Sequence, residues 1–126
     1  MCIRDSTYCA ELSENGEICE FTFRPEQYGL SCHDPADLSP ANDIRHEAKR
    51  FVALIRGNSR GARTDATLLN AGLIFYLAAK AGNIGLGIEK AANALFSGLA
   101  YNTLEKWVET QNMDPETGLK RLEGLA

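Results

Sequence analysis

The 126-residue sequence has no long apolar run, no basic block and no cluster of the residue types that bind metals. Spanning a bilayer takes about 20 consecutive apolar residues, so no stretch reads as a transmembrane helix. The first residues are too polar for a secretory signal, and the expected location is the cytoplasm. Net charge is −4 and the isoelectric point near 5.2. That field argues against nucleic acid or an anionic membrane surface as a partner. There are four cysteines, Cys2, Cys9, Cys19 and Cys32, all in the first 32 residues. They make neither C-x-x-C nor a zinc-type pair of pairs, so free thiols are expected rather than zinc or a disulfide framework. The two histidines are His33 and His46. His33 lies beside Asp34, but no second ligand follows at helical or turn spacing, so it reads as an exposed loop residue and not a metal ligand. The glycines of Gly82-Asn83-Ile84-Gly85-Leu86-Gly87 lack the Walker spacing and follow no strand, so they read as a helix stop and the next start. No nucleophile stands with a base, so spacing alone assigns no catalytic, substrate-binding or metal residue.

What is present is organised around Gly61 to Gly82, GARTDATLLNAGLIFYLAAKAG. Between Ala66 and Ala79 only Thr67, Asn70 and Tyr76 are polar. A helix that apolar has to be buried on nearly all sides, so this is the expected central helix, over 65–81. Thr64 stands where an N-cap belongs, Asp65 puts negative charge in the first turn, and Lys80 and Gly82 read as the stop. Gly72 in its interior costs about 1 kcal/mol against alanine, which makes sense where a neighbouring helix needs close approach. Asn70 is expected inside, as an amide tying helices together or as a ligand contact.

Around that helix the chain alternates between turn signals and stripes. Met1 to Ser6, MCIRDS, looks like a translated sequencing-library adapter, a pattern met in metagenomic reading frames, and is set aside from the fold. Thr7 to Arg24 reads as a hairpin turning on Asn15-Gly16, the strongest two-residue turn signal. Its expected pairs are Leu12 with Cys19, Ala10 with Phe21 and Tyr8 with Phe23, which puts Cys9 and Cys19 on opposite faces. Pro25 to Leu30 reads as one turn closed by Gly29, and Ser31 to Leu38 as polar loop. Ser39-Pro40 opens an amphipathic helix over 40–56, with Ile44, Ala48, Phe51, Val52 and Ile55 on one stripe. Gly57 to Arg63 reads as a solvated basic linker rather than a phosphate site built on Arg60 and Arg63. Further helices are expected over 86–97 and 99–111, the last anchored by Trp107. Residues 112–126 read as a polar tail with at most a weak turn at Leu119 and Leu122. The fold expected of the chain is therefore an antiparallel β-hairpin followed by a cluster of three to four α-helices.

Several of these pieces, in order, resemble the C-terminal part of anthranilate phosphoribosyltransferases. They are Glu11-Leu12 and Gly16-Glu17-Ile18 in the hairpin, and Pro25-Glu26 with Gly29-Leu30 after it. Arg63, Asp65 and Leu68-Leu69-Asn70-Ala71 resemble the family's R-x-D-x-x-L-L-N-A helix start. Lys80-Ala81, Gly87-Ile88-Glu89 with Ala91, and Ser97-Gly98 with Ala100 and Leu104 complete the likeness. The resemblance implies a parent α/β fold in which residues 7–111 end the α/β domain. It implies transfer of phosphoribosyl from phosphoribosyl pyrophosphate to anthranilate in tryptophan biosynthesis, with magnesium, by a homodimer. The family's glycine-rich pyrophosphate loop, its anthranilate contacts and its acidic metal pair have no match in residues 1–126. Asp5 falls near where the acidic pair would end, but within the suspected adapter. The resemblance therefore implies a fragment that binds no cofactor itself, is inactive alone, and has the missing N-terminal part of its own enzyme as its first partner. Two other readings stay open: a related nucleoside phosphorylase of the same superfamily, and a non-catalytic helical interaction module.

Overall fold

The computed structural model describes residues 6–126; the suspected adapter, Ser6 apart, lies outside the described residues. The elements are β1 (Thr7–Leu12), β2 (Ile18–Phe23), α1 (Ile44–Ile55), α2 (Ala62–Leu77), α3 (Ile84–Phe96), α4 (Leu99–Gln111) and α5 (Pro115–Glu123), with single 3-10 turns at Pro25–Tyr28 and Pro35–Leu38. A two-stranded antiparallel hairpin followed by a helical cluster is the architecture expected from the sequence.

The hairpin register differs by one residue from expectation. The pairs are Leu12 with Ile18, Ala10 with Glu20 and Tyr8 with Thr22. The loop is the reason. Gly16 N–H donates to Ser13 O at 3.0 Å, so Glu14 and Asn15 are the turn centre and Gly16 follows at φ 85°. Among the described residues Ala79 is the one non-glycine with positive φ, so Asn15 has not taken the left-handed conformation a two-residue I′ turn requires. Ser13 holds the longer loop through its hydroxyl, which donates to Glu17 O at 2.8 Å. The slip puts Cys9 and Glu11, instead of Tyr8, Ala10 and Leu12, on the face that carries Cys19, Phe21 and Phe23. Cys9 and Cys19 are thus on the same face, not opposite ones. They remain unbridged, because Cys9 stands opposite Phe21 and Cys19 opposite Glu11.

The principal core joins the hairpin to α2 and α3 through Phe23, Leu30, Leu68, Leu69, Ile88 and Leu95. Leu69 is wholly buried, at 0% exposure. Gly72 of α2 meets Gly87 of α3: a Cβ on Gly87 would stand 2.2 Å from Gly72 O, the close approach its sequence position suggested. α2 begins at Ala62 with Gly61 as N-cap, so Thr64 is not the cap but a buried residue of the first turn. The helix stops before Lys80 and Gly82. Ala79 takes φ 53°, its N–H donating to Tyr76 O and that of Lys80 to Phe75 O, both at 2.9 Å. This is a Schellman stop built on alanine where glycine is usual. Asn70 is exposed and donates to Ala66 O at 2.7 Å, so it ties its own helix and not its neighbours. Ile74 and Leu77 on the same outward stripe are also exposed, so α2 is not covered on all sides.

A second cluster packs Val52 of α1 with Tyr101 of α4 and Leu122 of α5. α1 starts four residues later than expected, capped by Asp43, which accepts from His46 N–H at 2.9 Å. Ser39 lies outside this helix and closes the preceding 3-10 turn, its backbone N–H donating to Ala36 O at 3.0 Å. That turn also replaces part of the expected polar loop. α3 starts at Ile84, where Asn83 accepts from Leu86 N–H. Trp107 is 62% exposed; Tyr101, six residues earlier on a different stripe, is the anchor of α4. The weak turn expected at Leu119 and Leu122 is a full helix, which Asp114 starts by accepting from Thr117.

Candidate functional site

The basic segment before α2 is where the sequence came nearest to a phosphate-binding signal. In the structure it borders an open cleft of about 420 Å³, lined in part by His33, Asp37, Arg50, Arg60 and Arg63. Each arginine is already engaged. Arg63 pairs with both Glu47 oxygens and donates to Ser39 O at 2.7 Å. Arg50 lies 3.8 Å from the same carboxylate. Arg60 donates to Gly57 O and Ser59 O, each at 2.8 Å, and lies over the Phe96 ring at 4.1 Å. Asn58 and Arg60 are exposed, as expected of a linker, while the Arg63 fork is turned onto Glu47 and Ser39.

Glu47 is the hub. Besides Arg63 it accepts from Ala41 N–H at 2.8 Å, tying the 39–41 segment and α1 to the first turn of α2. The hydrogen bond from Arg63, then that from Ala41, holds its carboxyl below the ordinary carboxylate value. A depressed value stabilises the fold at pH above the unfolded value, and the contribution is lost as pH falls through the folded one. Glu47→Gln is accordingly expected to flatten the fall in melting temperature between neutral pH and about pH 3, relative to the parent chain, in a pH series of thermal melts. An unchanged slope would show that Glu47 does not couple to folding.

The other brace is His33. Its Nε2 lies 2.7 Å from Asp65 Oδ2, and Asp65 also accepts from Ser31 N–H at 3.0 Å. His33 is thus a partly buried strap residue and not an exposed loop histidine. A third tie joins the hairpin to α2, where Tyr76 OH donates to Glu11 at 2.8 Å. These residues escaped sequence reasoning because the partners lie 16, 32 and 65 positions apart. No local spacing signals such pairs. Among the described residues no three His, Cys, Asp or Glu gather as a metal site, and no helix is long and apolar enough to cross a membrane. Chemically the arrangement braces α2, with the His33–Asp65 pair and the Glu47–Arg63 pair each joining a preceding segment to its first turn.

Comparison with known proteins supplies what the geometry does not. A family model described as "Glycosyl transferase family, a/b domain" matches residues 2–101. The chain is 37% identical over 102 residues to the anthranilate phosphoribosyltransferase of Rubrobacter xylanophilus, covering 81% of this chain and 29% of that protein. It is 34% identical over 120 residues to that of Methylibium petroleiphilum, covering 95% and 32%. With that of Desulfitobacterium hafniense it shares 40% over 97 residues, covering 77% and 28%. The chain spans less than a third of the length of these curated relatives.

Proposed function

The chain belongs to the glycosyl transferase family with an a/b domain, and from that membership we propose that it is the C-terminal part of an anthranilate phosphoribosyltransferase. The whole enzyme would act in the cytoplasm, in tryptophan biosynthesis. It would transfer phosphoribosyl from phosphoribosyl pyrophosphate to anthranilate, with magnesium, as a homodimer. Residues 7–111 would end its α/β domain. The observation that carries the reading is the in-order similarity across 81% of the chain, at 37% identity, to a protein of that name.

Such a transfer requires a cradle for pyrophosphate, carboxylates for magnesium, and charge stabilisation at the leaving group. Among the described residues no three His, Cys, Asp or Glu gather, and we assign none of them a metal role. Arg63 is hydrogen-bonded to Glu47 and Arg60 to backbone carbonyls. This segment's part is mechanical: the crossing of α2 and α3 and the Glu47–Arg63 brace would hold one end of the α/β domain.

The test is a chimera. Residues 7–126 replace the matching C-terminal segment of the Methylibium petroleiphilum enzyme, and anthranilate is followed by its fluorescence. We expect magnesium-dependent loss of anthranilate with phosphoribosyl pyrophosphate. The isolated 126-residue chain should show neither turnover nor saturable calorimetric binding of that substrate. A folded chimera that ignores anthranilate would sink the reading. Saturable binding to the isolated chain would refute its catalytic silence.

A further inference from the structure

Both faces of the hairpin carry large apolar side chains, yet only one is covered. The inner face sends Phe21 and Phe23 into the α2–α3 core. The outer face presents Tyr8, Leu12 and Ile18, which are 85%, 71% and 69% exposed. Its one charged side chain is Glu20. A strand pair with one face in water alternates apolar with polar; strands apolar on both faces belong to sheets covered on both sides. Both outer edges of this two-stranded sheet are also unpaired among the described residues, and neither strand contains the lysine or proline that blunts an exposed edge.

We propose that the outer face of the hairpin is a docking surface, and that its occupant is the remainder of the same enzyme's α/β domain. The inference rests on the reading given under Proposed function. Three observations choose this occupant. The relatives are about three times as long as the chain, since it spans 29% to 32% of two of them. The matched family model describes an a/b domain, which a lone two-stranded sheet cannot supply. The patch is nearly uncharged, as the interior of such a domain is. A second copy of this chain fits less well. Isologous pairing of two outer faces would bring two Glu20 carboxylates into one apolar contact.

The experiment uses the chimera described above, carrying Ala10→Cys at the middle of the outer face. A second version carries Met113→Cys, a fully exposed reference between α4 and α5. A maleimide labels the folded protein, and peptide-resolved mass spectrometry reads each position apart from the native thiols. Labelling at position 10 is expected to be at least tenfold slower than at position 113; a smaller difference overturns the proposal. In the isolated chain the position-10 thiol should label as fast as position 113 at every protein concentration. Concentration-dependent protection there would name a second copy as the occupant and overturn the proposal. A chimera that protects position 10 but consumes no anthranilate would keep the docking surface and remove the phosphoribosyl reading. An active chimera with an open position 10 would do the reverse.

Discussion

Gly87→Ala is expected to destabilise the chain by about 3 kcal/mol, the upper end of the usual overpacking range. The added Cβ would stand 2.2 Å from Gly72 O and 3.0 Å from Gly72 C. Both neighbours are backbone, so no rotamer change can relieve the contact. The helices must separate, and the packing of Leu68, Leu69, Ile88 and Leu95 opens with them. For a chain of this size the melting temperature should fall by about 10 °C. Gly82→Ala is the control, because the nearest atom to its added Cβ is Leu86 Cδ1 at 3.9 Å. That variant should match the parent or gain slightly from reduced unfolded-state entropy. Circular dichroism melts of the three chains decide the matter. If Gly87→Ala melts with the parent, α2 and α3 do not cross as closely as described.

The same crossing shows what could be read from sequence. An interior glycine in a helix otherwise built of good helix formers pointed to close approach, and Gly72 makes it. α4 occupies the residues its pattern suggested, 99–111. The misses have physical causes. Asn15-Gly16 is a strong I′ signal, but Ser13 can hold either loop length, and its hydrogen bonds to Glu17 favour the longer one. Trp107 has the size of an anchor, but α5 packs on the stripe that carries Tyr101, and periodicity cannot foresee a helix written as tail. Asn70 sits in an apolar run whose outer stripe, with Ile74 and Leu77, this chain leaves uncovered. The braces were illegible for a different reason. Glu47 with Arg63 and His33 with Asp65 are ordinary surface-type residues until tertiary structure sets them side by side.

Phe23→Ala should be the most damaging change in the hairpin, costing about 3–5 kcal/mol as large buried aromatics do. Phe23 is 2% exposed, lies 5.9 Å from Tyr28 in an edge-on pair, and belongs to the same core cluster as Leu68, Leu69 and Ile88. A lone two-stranded hairpin is marginal in water, so β1 and β2 depend on this anchor for their order. The other tie is the Tyr76–Glu11 hydrogen bond, which raises the Tyr76 phenol above its ordinary value. A raised value means its contribution is complete below about pH 10 and is lost only as pH rises through the folded value. Hydrogen exchange at neutral pH separates the two ties. Phe23→Ala should strip protection from the paired amides of Thr7–Leu12 and Ile18–Phe23 and weaken α2 and α3 less. Tyr76→Phe should leave the strands protected at neutral pH, because packing and not the hydrogen bond holds them. If Tyr76→Phe releases the strands while Phe23→Ala does not, the hairpin is fastened by the phenol, and the core's claim on Phe23 fails.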